Sequence, residues 1–168
     1  MGFYEDELER SEKAEKSRGK SAILRKWKNL RMKPNSRGAR SDFMIDPSLG
    51  FETSGLTVAV NQLPPGGYMA SHRHGGEAII YIVEGKGYTR IDDERFDWED
   101  GDLIFISHWC WHQHFNTDPQ RTATYIRFAV TESLFDIMNI ILDPLLMLEH
   151  RAPWDGPDVK SIIWPEPH

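Results

Sequence analysis

EAIIYIVEGKGYTRID, residues 77–92, contains two short runs rich in Ile, Val, Tyr and Thr, separated at Gly-Lys-Gly. Similar runs occur at LTVAVNQL (56–63), DLIFIS (102–107) and TATYIRFAV (122–130). Gly, Pro and Asp punctuate them, and no helical segment lies between them. Short runs of β-branched and aromatic residues predict strands, and their regular spacing predicts an antiparallel barrel or sandwich.

The composition predicts one globular domain. The chain has 168 residues, of which 39% are hydrophobic and 27% charged, and its six tryptophans exclude a disordered acidic chain. No apolar run is long enough to span a membrane, and no secretory signal opens the sequence. The single cysteine, Cys110, excludes an internal disulfide and fits a reducing compartment, so we expect a cytoplasmic protein.

Residues 1–42 predict a charged extension before the barrel. Residues 4–33 have the composition and spacing of a helix that Pro34 ends, and residues 35–42 have the composition of a linker. Nine basic residues and no acidic ones lie between 18 and 40. This stretch either binds nucleic acid or another anionic surface, or lies on the acidic body of its own or a neighbouring subunit. We favour the second interpretation, with no nucleic-acid partner, because no nucleic-acid motif accompanies the charge.

After the barrel, which we place at 43–131, residues 132–168 predict helices and a proline-rich strap. SLFDIMNIILDPLLMLEH (133–150) is apolar nearly all round and is interrupted at Pro144, so we expect two helices. Helices this apolar are normally buried. Residues 134–148 therefore predict an interface in a homodimer or a larger homo-oligomer, whose subunit number the sequence does not reveal.

Two pairs of histidines accompany the predicted strands. His72 and His74 are two residues apart, and so are His112 and His114. Residues i and i+2 of a strand face the same side, so the two pairs can converge inside a small barrel. Imidazole is a common ligand of iron, zinc, copper and nickel, and the spacing therefore predicts a metal site.

These histidines lie in two motifs that resemble those of the cupin family, over about residues 55–130. The first cupin motif is a glycine, five residues, HxH, then an acid and a glycine; here Gly66 is followed by GYMAS, by HRH (72–74) and by Gly85. The second runs from GD through a proline, a glycine and a histidine to an asparagine; here residues 101–116 read GDLIFISHWCWHQHFN. The resemblance implies an all-β cupin barrel, the double-stranded β-helix or jelly roll, with a metal on His72, His74 and His112.

The chain departs from the cupin motifs at three positions. Ser107 and Trp109 replace the proline and glycine of the second motif, and Ala78 stands where the first motif has its acid. Glu77 is one residue early, and a one-residue offset turns a strand side chain to the opposite face. We therefore expect Glu77 to point away from the metal, although a bulge in the strand would bring it back.

With Ala78 in the acid position, the chain looks like the ring-cleaving cupins that act on gentisate, salicylate and hydroxynaphthoate, which are three-histidine iron(II) enzymes. This resemblance implies an iron(II) dioxygenase that uses dioxygen to cleave a C–C bond of a small chelating aromatic or dicarbonyl substrate. Zinc, nickel, manganese and copper are the alternative metals. Two other interpretations stay open: a non-oxidative metal-dependent cupin, such as an isomerase or lyase, and a cupin that binds a small ligand without turnover.

Two further residues are candidates for the chemistry. His114 lies two residues beyond a ligand and is a candidate acid–base group, with a fourth ligand or a polar wall residue as the alternatives. Arg127 lies in the apolar run TATYIRFAV, where it either faces a pocket and pairs with a substrate carboxylate or faces solvent. His108 is a second candidate near the metal.

Overall fold

Two antiparallel sheets form the body of the protein. The computed structural model describes residues 19–53 and 55–130, together with the backbone of residues 149–150. One sheet has the strand order β1-β2-β3-β10-β5-β8, and the other has the order β11-β4-β9-β6-β7. The strands are β1 (Lys33–Pro34), β2 (Arg40–Ile45), β3 (Leu56–Leu63), β4 (His72–Arg73), β5 (Ala78–Glu84), β6 (Gly87–Ile91), β7 (Glu94–Trp98), β8 (Leu103–Ile106), β9 (His112–Asn116), β10 (Ala123–Val130) and β11 (Glu149–His150).

The predicted all-β barrel is confirmed. The five strand runs that the sequence shows become β3, β5, β6, β8 and β10, each within one residue of its predicted bounds. Alternation places one face of each strand inside: in β5, Ala78, Ile80 and Ile82 are buried, whereas Ile79 and Tyr81 are exposed. Strand β7 is missing from the prediction because its sequence, ERFDW, is mostly exposed and has no alternating pattern.

The predicted helix over 4–33 is wrong in the part that the structure describes. Between residues 20 and 33 the regular elements are a single 3₁₀ turn at Trp27–Asn29 and the first residue of β1. Asp42 explains the difference, because its Oδ2 accepts hydrogen bonds from the Arg25 guanidinium (2.6 Å) and from the Arg31 backbone N–H (2.7 Å). These tertiary contacts outweigh the helical propensity of the segment. Residues 1–18 lie outside the described residues.

The predicted linker over 35–42 is also corrected. Only its first half is a turn, in which the Asn35 side-chain oxygen accepts hydrogen bonds from the backbone N–H groups of Arg37 and Ala39. Strand β2 begins at Arg40 and pairs with β3, so the sheet starts before residue 43. Polar composition predicted the turn, but it could not show that the chain re-enters the sheet.

The C-terminal predictions fall mostly outside the described residues. The helices and interface expected over 134–148 and the strap after residue 150 belong to this part of the chain. Glu149 and His150 are an exception, because they form β11 and pair with Arg73 and His72 of β4. The helix predicted over 133–150 is therefore wrong at residues 149 and 150. No helix among the described residues is long and apolar enough to cross a membrane.

Candidate metal centre

Three histidines meet inside the barrel. Strand β4 pairs with β9 so that His72 lies directly opposite His112, and His74 follows one residue after β4 ends. One nitrogen from each of the three rings lies within 4.8 Å of the others. The three side chains are buried, with exposed fractions of 3% for His72, 9% for His74 and 2% for His112.

Each of these rings is oriented by a backbone carbonyl two residues away. Nδ1–H of His72 donates to Ala70 O (2.9 Å), that of His74 to Gly76 O (2.6 Å), and that of His112 to Cys110 O (3.0 Å). A carbonyl oxygen can only accept, so the ring proton lies on Nδ1 and the lone pair lies on Nε2. Three Nε2 lone pairs fixed in this way suit metal ligation.

Burial keeps these imidazoles neutral. Burial, together with smaller contributions from the Arg127 and Arg37 guanidinium groups, lowers the pKa of His74 to about 4. The pKa values of His72 and His112 also lie well below the usual histidine range, chiefly because burial penalises the charged ring. The rings are therefore ready to bind a metal at neutral pH without first losing a proton.

The three histidines line a cavity of about 550 Å³ between the sheets. Strands β3, β5 and β10 of the larger sheet supply its opposite wall, including Ala78 and Tyr125. Burial raises the pKa of the Tyr125 hydroxyl, whose O–H contacts the sulfur of Met69 (3.7 Å). The volume lies in the range of small-molecule sites.

Two arginines line the same cavity. Arg127 of β10 lines the cavity. Of the two positions that the sequence left open for this side chain, a pocket or the solvent, it therefore has the first. Arg37 belongs to the turn before β2 and was not predicted, because residues 35–42 were interpreted as a linker. The asparagine-closed turn that carries Arg37 is anchored by the hydrogen bond from Ala70 N to Arg37 O (2.7 Å). The Ala70 carbonyl oxygen also accepts from Nδ1–H of His72, so the backbone of Ala70 contacts both the turn that carries Arg37 and the candidate ligand His72.

Glu77 points away from the cavity, as strand parity predicts. Its side chain is exposed, whereas Ala78 is 2% exposed and lines the cavity. Within the described residues, the one cluster that could hold a metal consists of three histidines and no carboxylate. The alternative of a bulge that turns Glu77 inward is excluded, because β5 pairs regularly with β8 from Ala78 to Tyr81.

His114 lies in the same cavity but makes a different contact. Its Nδ1 is 2.9 Å from the Thr89 hydroxyl, and its ring centre is 5.6 Å from that of His112. Burial lowers its pKa to about 3. His108, the other candidate, is exposed and does not line the cavity.

Residues 59–128 match the family described as the cupin domain. This part of the chain has the cupin fold. Its curated relatives include a gentisate 1,2-dioxygenase from Streptomyces sp, 33% identical over 78 residues, and one from Ralstonia sp, 36% identical over 76 residues. These alignments cover 46% and 42% of the chain, but 22% and 21% of the relatives. The chain thus spans about a fifth of the length of these dioxygenases.

Solved structures give the same fold. A salicylate 1,2-dioxygenase from Pseudaminobacter salicylatoxidans superposes with a TM-score of 0.54 at 18% identity, over 67% of this chain and 30% of that one. The cupin domain of Cnp3 from Schizosaccharomyces pombe superposes with a TM-score of 0.58 at 9% identity, over 70% of this chain and 80% of that one. At these identities the likeness establishes the cupin fold alone.

The buried histidines predict that the metal-free protein loses stability in mild acid. Their pKa values are lower in the folded than in the unfolded chain, so the unfolded chain takes up more protons once the pH falls below about 6.5. The free energy of unfolding should therefore decrease from pH 6.5 towards pH 5, by up to about 1.4 kcal/mol per pH unit for each buried histidine. Urea denaturation of chelator-treated protein at several pH values measures this slope.

Two variants provide the control for this slope. His114→Gln should make it shallower by about one proton, whereas replacing the exposed His108 by Gln should leave it unchanged. Equal stability of the wild-type protein at pH 6.5 and pH 5 would contradict the prediction.

Proposed function

We propose that the protein is an iron(II)-dependent dioxygenase of the cytoplasm that cleaves a C–C bond in a small chelating aromatic or dicarbonyl compound. The observation that carries this proposal is a buried set of three neutral histidines, without a carboxylate, in a cavity that two arginines also line. The gentisate dioxygenases to which the chain is similar support the ring-cleaving class. The cytoplasmic location is supported by the single cysteine, because a chain without an internal disulfide fits a reducing compartment.

The donor set fits iron(II). His72, His74 and His112 would hold the metal through Nε2, because their Nδ1 atoms are bonded to backbone carbonyls. Imidazole nitrogen suits iron as well as zinc, copper and nickel, and manganese is a further alternative. Bound iron(II) would supply electrons to dioxygen and bring substrate and dioxygen to one centre. Three neutral ligands leave its charge uncompensated, which favours an anionic substrate that chelates it.

The arginines recognise the substrate in this proposal. Arg127 and Arg37 line the cavity that holds the histidines, and their charge reaches the rings strongly enough to lower the pKa of His74. A guanidinium can form a bidentate, charge-assisted pair with a carboxylate. A hydroxybenzoate therefore fits: its phenolate and carboxylate oxygens are available to the metal and to an arginine.

The walls and His114 complete the proposed site. Ala78 and Ile80 on β5 keep one side apolar, so a bound aromatic ring displaces water from the cavity. His114 reaches the cavity from β9 and would act on an oxygen of the bound molecule through hydrogen bonding and proton transfer. The position of these residues on the cavity wall supports both proposed roles.

Metal content tests the ligand set. Single replacements of His72, His74 or His112 by Ala should weaken metal affinity by roughly 100-fold or more, since loss of a ligand exceeds the effect of losing an outer hydrogen bond. Elemental analysis and competition with a chelator measure the affinity. Glu77→Gln is the matched control and should keep wild-type metal content, since its side chain is exposed. Full occupancy in all three alanine variants would refute the assignment.

Oxygen consumption tests the reaction. The iron-loaded protein should take up dioxygen only when a chelating substrate from a panel of hydroxybenzoates and diketones is present. Arg127→Gln should raise KM for a hydroxybenzoate by roughly 10- to 100-fold, because a charge-assisted pair is lost. The same variant should leave KM for a diketone unchanged, since a diketone carries no carboxylate.

The control for this experiment is Arg95→Gln, which removes an exposed guanidinium that pairs with Asp97 on β7, away from the cavity. It should behave as the wild-type protein towards both substrates. Tight native zinc, with no oxygen uptake by the iron-loaded protein across the panel, would favour a non-oxidative activity instead.

We also propose that the protein is a homo-oligomer, with the outer face of β5, β8 and β10 packed against a second copy. The outward side chains of these strands that the structure describes carry no charge, and the large apolar ones are 37–67% exposed. They are Ile79, Tyr81, Val83, Leu103, Phe105, Phe128 and Val130. Their exposed area is on the order of 600 Å², close to the about 800 Å² that each partner contributes to a standard interface.

Sedimentation at micromolar concentration tests this association. The wild-type protein should sediment as a dimer or larger species, and Phe105→Asp should dissociate it because a carboxylate would be buried without a partner. Leu24→Asp, at a side chain that is 73% exposed outside the sheets, is the control and should stay associated. A monomeric wild-type protein would contradict the proposal.

A further inference from the structure

A short chain of buried hydrogen bonds ends at His114. The indole N–H of Trp98 donates to the Thr89 hydroxyl oxygen (3.1 Å), and this oxygen lies 2.9 Å from Nδ1 of His114. The exposed fractions are 5% for Trp98, 0% for Thr89 and 3% for His114. Neither of these two contacts involves a charged group.

We propose that Thr89 and Trp98 are positioning residues that hold His114 with its proton on Nε2, as a hydrogen-bond donor to an anionic oxygen in the cavity and not as a fourth metal ligand. The action on a substrate oxygen rests on the proposed function. The position of the proton does not, because it follows from the protein's own hydrogen bonds.

The donors and acceptors of Trp98, Thr89 and His114 are compatible with one placement of the protons. An indole nitrogen can only donate, so the Thr89 oxygen accepts from Trp98. Thr89 has a single hydroxyl proton, and among the described residues its one available acceptor is Nδ1 of His114. A buried hydroxyl that failed to donate there would leave its proton without a partner. Nδ1 of His114 is therefore an acceptor, and the ring proton lies on Nε2.

This arrangement is the reverse of that in the three clustered histidines. Carbonyl oxygens fix the proton of His72, His74 and His112 on Nδ1, and so free Nε2 to bind a metal. At His114 a hydroxyl takes the place of the carbonyl, and the proton moves to Nε2. His112 and His114 are two residues apart on β9, yet Nε2 carries a lone pair in His112 and a proton in His114.

The register of the strands builds this chain of contacts. Thr89 of β6 lies directly opposite His114 of β9, so both side chains share one face of the sheet. Trp98 of β7 lies opposite Gly87, one diagonal step from Thr89. A Cβ at Gly87 would lie 2.6 Å from the Trp98 ring and 1.9 Å from the Phe115 carbonyl oxygen. Glycine at this position leaves the room that the Trp98 indole occupies while its N–H reaches Thr89.

The position of the proton has a chemical consequence in the cavity. A neutral imidazole with Nε2–H donates to a phenolate or carboxylate oxygen, and it cannot use the same nitrogen as a metal ligand. His114 would therefore orient a bound anion from β9 while Arg127 approaches from the opposite sheet. The open positions of a metal would stay available to exogenous ligands.

Nitrogen-15 NMR of the histidine rings tests the inference directly, because protonated and unprotonated ring nitrogens have well-separated shifts. The metal-free wild-type protein should show His114 with a protonated Nε2 and an unprotonated Nδ1, and the other three with the reverse pattern. His114→Gln assigns the signals by removing them. An unprotonated Nε2 in wild-type His114 would overturn the inference without any further variant.

Variants of Thr89 show whether this residue causes the pattern. Thr89→Val keeps the volume but removes the hydroxyl, and it should lower the ratio of the two His114 tautomers by roughly five- to tenfold, the factor that one buried hydrogen bond contributes. Thr89→Ser should restore the wild-type ratio. Thr124→Val removes another buried strand hydroxyl, outside the cavity, and should change nothing. An unchanged ratio in Thr89→Val would overturn the role of Thr89.

Zinc(II), used as a diamagnetic probe, separates this inference from the proposed function. On titration, the Nε2 signals of His72, His74 and His112 should shift, while Nε2 of His114 should keep its proton. A zinc-bound His114 would overturn the inference. Failure to bind zinc would contradict the proposed metal site, whereas the ratio in the metal-free protein would still decide the tautomer.

Discussion

The site depends on three hydrogen bonds between histidine side chains and the backbone near them. Ala70 O, Gly76 O and Cys110 O each accept from Nδ1–H of a histidine two residues away, and so turn three Nε2 atoms towards one point. Ala70, Gly76 and Cys110 each lie two residues before a strand, namely β4, β5 and β9. The ring orientation is thus set by backbone next to the strands, and these hydrogen bonds leave less side-chain entropy to lose when a metal binds.

The charged side chains around the cavity favour an anionic ligand. Among the described residues, the charged side chains that line the cavity are Lys33, Arg37 and Arg127, and one acid, Asp42, whose carboxylate pairs with Arg25. The metal-binding cluster contains no carboxylate, and Glu77, just before β5, is exposed. Neutral ligands leave a bound metal with its full positive charge, and the arginines add to it. An anionic, chelating molecule would compensate this charge, whereas a neutral one would not. Burial, with a smaller contribution from the two arginines, lowers the pKa values of His74 and His114, so a metal would not compete with protons for His74 at neutral pH.

The two sheets contribute differently to the site. The smaller sheet supplies His72, His112 and His114, together with the hydrogen-bonded pair of Thr89 and Trp98 behind them. The larger sheet supplies the apolar wall and Arg127, and the turn before its strand β2 adds Arg37. The proposed metal ligands and the arginines proposed to recognise the substrate therefore lie on opposite walls. A change on one wall can alter affinity for the substrate without altering the metal ligands, which is how one barrel can serve several reactions.

The sequence by itself determined five strands of the barrel, though not β2 or β7, together with the spacing of the histidine pairs and the outward direction of Glu77. All three follow from the two-residue period of a strand, which is local and can be read from neighbouring residues. The two-residue period also placed His112 and His114 on one face of the strand, but it could not show that their ring protons lie on different nitrogens. That difference comes from the Cys110 carbonyl at the His112 ring and the Thr89 hydroxyl at the His114 ring, and Thr89 is 25 residues away from His114 in the chain.

The tertiary structure also decided the course of the segment before β2. Arg37 reaches the cavity and Arg25 pairs with Asp42 only because this segment folds onto the sheet, where tertiary hydrogen bonds outweigh its helical propensity. Contacts between distant parts of the chain decided these features, and a local pattern carries no information about them.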